Sequence, residues 1–106
     1  GHEPHLPQLM RAGGAGTICG MANIYPGLVR ALFAAGVTKE DEARVATFID
    51  IAFRQPLLPG LKAIVAARMR DPGWLAVRPP LLPLDAPAQE RLLAALSDAD
   101  LPSIAL

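Results

Sequence analysis

A single run, Gly16-Thr17-Ile18-Cys19-Gly20, limits the architectures open to this chain more than any other. It is short, apolar and β-branched, and it lies between glycines, the pattern of one buried strand. No other stretch reads as a convincing strand. The N–H and C=O groups of a strand require a ladder partner, because buried backbone polar groups left open are costly. One strand among helices therefore expects its neighbours from further sequence or from another chain.

The remainder reads as helix. Leu6, Leu9 and Met10 share a face of a short helix over Pro4–Ala12, and Gly13-Gly14 end it. Pro26 opens a second helix bearing Leu28, Val29, Leu32, Phe33 and Ala35, with Gly36 at its end. Thr38 is the N-cap of a third, whose acidic first turn (Glu40, Asp41, Glu42) suits the positive end of the helix dipole. Its core stripe is Val45, Phe48, Ile49, Ala52 and Phe53, and Pro56 and Pro59 break it. Gly60–Arg70 predicts a fourth helix with Leu61, Ile64 and Val65 inward, and Asp71-Pro72-Gly73 a turn. Trp74–Leu84 predicts an extended, proline-rich connector. Asp85 caps a last helix with Leu92, Leu93 and Leu96 on its apolar face, and the tail from Asp98 to Leu106 is expected to fray or dock loosely. The order is helix, strand, helix, then three helices, which is what a cut through a β/α repeat leaves.

Composition narrows the partners. Ten Lys and Arg balance ten Asp and Glu with no basic block, which argues against nucleic acid. No apolar run approaches the roughly 18 residues of a membrane span. A hydrophobic fraction of 52% is high for 106 residues and predicts apolar surface that meets a protein partner. The lone Cys19 cannot form an internal disulfide and fits a reducing, cytoplasmic setting. The opening Gly1-His2-Glu3-Pro4 has neither the basic nor the apolar region of a signal peptide.

Four segments, in order, carry a family resemblance. Gly13-Gly14-Ala15-Gly16-Thr17-Ile18-Cys19-Gly20-Met21-Ala22-Asn23-Ile24-Tyr25-Pro26 resembles the eighth barrel strand of the dihydrodipicolinate synthase / N-acetylneuraminate lyase family. Gly1-His2-Glu3 resembles the element that ends that family's seventh strand. Leu58-Pro59-Gly60-Leu61-Lys62 is similar to its proline-to-lysine helix start. Val77-Arg78-Pro79-Pro80-Leu81-Leu82-Pro83-Leu84 is similar to the connector before its last helix. His2 stands where Asp or Tyr is usual, which leaves the substrate class open, and Gly20 replaces a common Ser.

The resemblance implies an α/β fold: the last helix–strand–helix of a TIM (β/α)8 barrel over residues 1–35, then a C-terminal helical domain over 36–106, the chain itself being mostly α-helical. It implies a homo-oligomeric lyase, free of cofactor and metal, that makes or breaks a carbon–carbon bond through a lysine Schiff base with pyruvate or another 2-oxo acid. It places Gly1, Glu3 and Ile18 on the wall of the substrate pocket. It also places the Schiff-base lysine, the tyrosine acid/base and the carboxylate-binding Gly-Thr/Ser-Thr motif before Gly1. This chain alone is therefore expected to be inactive, with no catalytic residue of its own.

The residues themselves support that expectation. Lys39 and Lys62 are the lysines, one at a helix start and one on a helix, and barrel catalysts sit at strand ends. Cys19 reads as a structural thiol, having no histidine disposed as its base. His2 and His5 lack a third ligand for a metal. Lys62 reads as an ion-pair or helix-surface residue, Arg78 as the partner of a carboxylate or of carbonyls, and Trp74 as a packing anchor. The glycines around residue 16 serve strand entry, since they precede the strand and no Gly-Lys-Ser/Thr ending follows. The alternative reading from another class is a non-catalytic helical module that self-associates through its open strand and apolar faces.

Overall fold

The computed structural model describes residues 1–103 of the chain. Five α-helices follow in order: α1 (Leu6–Arg11), α2 (Pro26–Ala31), α3 (Lys39–Ala52), α4 (Leu57–Met69) and α5 (Ala86–Asp98). Short 3-10 turns occupy Glu3–His5, Met21–Asn23 and Pro72–Leu75. The chain is mostly helical, as expected, but the described residues contain no strand.

The segment from Gly16 to Gly20 is thus a correction to the expected buried strand. It forms no ladder, and Ile18 is 93% exposed. The physical reason is the one that made the run notable. β-branched residues favour extended backbone, but a strand exists only where a neighbour pairs with it in register. Here the adjacent chain is Gly1–Glu3, which reaches Ile18 through a single bond from the terminal amine.

Two compact units divide the chain, Gly1–Ile49 and Asp50–Leu106. In the first, α1 ends in a Schellman motif. Gly13 adopts φ 86°, the Gly14 N–H donates to the Leu9 carbonyl at 2.9 Å, and the Gly13 N–H donates to Met10 at 3.1 Å. Thr38 caps α3 as predicted, its Oγ1 accepting the Asp41 N–H at 3.1 Å. Leu6, Met21, Ile24, Tyr25, Val29, Leu32, Val45, Phe48 and Ile49 are buried. The Tyr25 and Phe48 rings meet edge to face, their centroids 5.3 Å apart. Five positions depart from the predicted faces: Leu9, Phe33 and Ala35 are exposed, and Met10 and Leu28 are half-buried.

In the second unit α4 begins at Leu57, three residues before the predicted start. Pro59 falls in its first turn, where no intrahelical partner awaits an N–H, so the proline does not break the helix. Leu61 and Ile64 are buried as predicted, and Val65 is half-buried. Phe53, assigned to the α3 stripe, lies past the last helical turn and is 59% exposed. The end of α4 is a second Schellman motif, with Arg70 at φ 52° and ψ 38°. There the Asp71 N–H donates to Ala66 at 3.0 Å and the Arg70 N–H to Ala67 at 3.3 Å. Asp85 caps α5, its Oδ1 accepting the Ala88 N–H at 2.8 Å, and Leu92 and Leu96 are buried. Of the tail expected to fray, Ile104 to Leu106 lie outside the described residues.

Candidate functional site

The site expected from the sequence comprises Gly1, Glu3 and Ile18, and the structure brings these residues together. The amine of Gly1 donates to the Ile18 carbonyl at 2.8 Å. Gly1 leaves no room for a side chain, since a Cβ there would stand 2.6 Å from Thr17 Oγ1. The main chains at Gly1 and Ile18 are therefore in direct contact.

Glu3 lies beneath that contact, only 5% exposed. Pro4 follows it in the opening 3-10 turn, which directs the Glu3 side chain back toward residue 21. Its Oε1 accepts the backbone N–H of Met21 at 3.2 Å. Met21 starts the second 3-10 turn, whose first N–H groups have no partner within the turn, so a carboxylate is a suitable acceptor there. Asn23 closes the same turn with an Nδ2 bond to the Gly20 carbonyl at 3.1 Å. No residue pattern signals the role of the Met21 amide, since a backbone donor carries no side-chain signature.

Cys19 lies between these groups and is half-buried. Burial pushes its thiol pKa above the ordinary value. The Glu3 carboxylate raises it further through its charge and a hydrogen bond, against a lowering contribution from the Ala22 backbone. Both effects disfavour the thiolate, the reactive form of Cys19. Ile18 presents its side chain to solvent, so it walls no enclosed pocket within this chain. His2 and His5 contact each other edge to face at 4.7 Å. No group of three His, Cys, Asp or Glu side chains able to hold a metal occurs among the described residues.

Neither lysine belongs to this cluster. Lys39 is exposed at the first turn of α3. Lys62, on α4, places its Nζ over the Trp74 ring, 5.7 Å from the centroid. Of the two partners expected for Arg78, a carboxylate or carbonyls, no carboxylate lies within 4.0 Å among the described residues, and its own carbonyl accepts the Leu81 N–H at 3.0 Å. The cluster around Glu3 brings together a buried carboxylate, a thiol and the terminal amine of Gly1, and neither lysine side chain.

No protein family, curated protein or solved structure matches this chain.

The described residues also contain no helix long and apolar enough to cross a membrane.

Proposed function

We propose that this chain is the C-terminal portion of a carbon–carbon lyase that works on pyruvate or another 2-oxo acid through a lysine Schiff base. The lysine belongs to sequence preceding Gly1. The observation that carries the reading is the contact of Gly1–Glu3 with Ile18–Met21. The resemblance assigns these segments to the ends of adjacent barrel strands, the seventh and eighth, and such ends must be neighbours in a closed barrel. The run from Thr17 to Cys19 forms no ladder among the described residues, and a ladder is what flanking strands of a barrel would supply. In the whole enzyme Gly1, Glu3 and Ile18 line the pocket, no cofactor or metal takes part, and subunits associate through the helical portion in the cytoplasm.

Imine chemistry provides the test. A lysine amine condenses with the ketone of pyruvate and releases water, and borohydride reduces the imine to a stable secondary amine. The complete product of the gene, treated with radiolabelled pyruvate and borohydride, is expected to retain label on one lysine. This chain alone is expected to retain none. A complete product that stays unlabelled overturns the proposal.

A second reading, a self-associating helical module, draws on the same exposed segment. Backbone groups from Thr17 to Cys19 that pair between copies would form a two-chain ladder. Size-exclusion chromatography separates the readings: a defined oligomer that Ile18→Lys dissolves supports the module, and a concentration-independent monomer opposes it.

A further inference from the structure

Two of the motifs singled out in the sequence, Leu58–Lys62 and Val77–Leu84, enclose one groove in the second unit. Leu58 and Lys62 are four residues apart on α4 and so share a face. The connector supplies Ala76, Val77, Arg78 and Leu81, and the groove measures about 360 Å³. Leu58 in its wall is 56% exposed, and Leu82, which follows the lining residue Leu81 in the chain, is 79% exposed.

The charge in this groove is unbalanced. One cation comes from each wall, Lys62 from α4 and Arg78 from the connector. Neither meets a carboxylate within 4.0 Å among the described residues. Three acids of the same unit are engaged elsewhere: Asp50 pairs with Arg54 at 2.6 Å, Asp71 accepts the Gly73 N–H at 2.8 Å, and Asp85 caps α5. Lys62 has only the face of Trp74, a contact that attracts a cation without neutralising it.

We infer that this groove binds a segment of a partner protein in which Asp or Glu stands among leucine-type side chains. The carboxylate enters between Lys62 and Arg78, and the flanking apolar side chains cover Leu58, Leu81 and Leu82. Charge complementarity selects the acid, and apolar surface that extends past the groove favours a chain segment over a small molecule. The inference is independent of the lyase proposal, since it uses no residue of the Glu3 cluster.

Trp74 is the one tryptophan of the chain and reports on the groove through Lys62, which lines the groove and stands over its ring. The full chain is titrated with acetyl-Ser-Leu-Leu-Asp-Glu-Leu-Leu-Ser-amide and with its Asn-Gln counterpart. The acidic peptide is expected to give a saturable change in tryptophan emission that weakens with salt, and the neutral peptide to bind about ten-fold less tightly. Lys62→Gln and Arg78→Gln are each expected to weaken the acidic peptide about three- to five-fold with an unchanged circular dichroism spectrum. Equal binding of the two peptides, or no saturable change, overturns the inference. So does the same emission change produced by sodium octanoate, which would assign the groove to small carboxylates, or by raising the chain concentration alone, which would assign it to a second copy.

Discussion

The Glu3 carboxylate accepts the Met21 N–H at 3.2 Å, tying the start of the chain to a turn eighteen residues away. Both partners are buried, so the bond cannot be exchanged cheaply for water.

Glu3→Ala leaves that amide unsatisfied and is expected to destabilise the first unit by about 1.5–3 kcal/mol, the range for hydrogen bonds to charged groups. Glu3→Gln keeps an acceptor and is expected to cost less. Urea unfolding of the two variants checks the order.

Cys19 holds its proton to higher pH in the folded chain than in the unfolded one. Its alkylation by iodoacetamide at pH 8 is therefore expected to be slower in buffer than in urea, because the thiolate is the reacting form. Glu3→Gln removes a negative charge that raises the thiol pKa, so the pH midpoint of alkylation is expected to move down. An equal or higher midpoint in that variant would contradict the assignment of Glu3 as a cause.

Phe48 is fully buried against Tyr25. Phe48→Ala is expected to cost about 3–5 kcal/mol. That is comparable to the total stability of a unit of this size, about 2–7 kcal/mol, so the first unit should be largely unfolded at room temperature. Ile18→Thr, at a side chain 93% exposed, is expected to shift stability by no more than about 0.5 kcal/mol. Circular dichroism with denaturant titration compares the pair.

Arg70 occupies the left-handed position of a Schellman motif that glycine ordinarily fills. Arg70→Gly is expected to stabilise the second unit by about 1 kcal/mol by relieving the clash of a Cβ with the backbone. The readout is a higher urea midpoint at an unchanged m-value.

Helix starts set by one local side chain were legible in the sequence. Thr38 and Asp85 each cap a helix through their own oxygen, and the acidic turn after Thr38 and the stripe Val45, Phe48, Ile49, Ala52 follow from spacing alone. Features that depend on distant chain were not. Gly16–Gly20 has the composition of a strand, but it meets no ladder partner among the described residues, and composition cannot supply one. The second helix was expected to reach Gly36 and stops at Ala31, because Leu32 is the last of its apolar residues to be buried. Of the candidate site, the resemblance groups Gly1, Glu3 and Ile18, whereas the bond from the Gly1 amine to Ile18, the outward Ile18 side chain and the Met21 donor depend on tertiary geometry. Lys62 and Trp74 were read separately, as a surface residue and an anchor, and their stacking joins them.

The division of the chain at Ile49 has an optical consequence. The lone tyrosine, Tyr25, belongs to the first unit and the lone tryptophan, Trp74, to the second. Each half thus carries its own chromophore. Melting curves recorded at the two emission bands would coincide if the halves lose structure in one cooperative step, and would separate if each has its own midpoint.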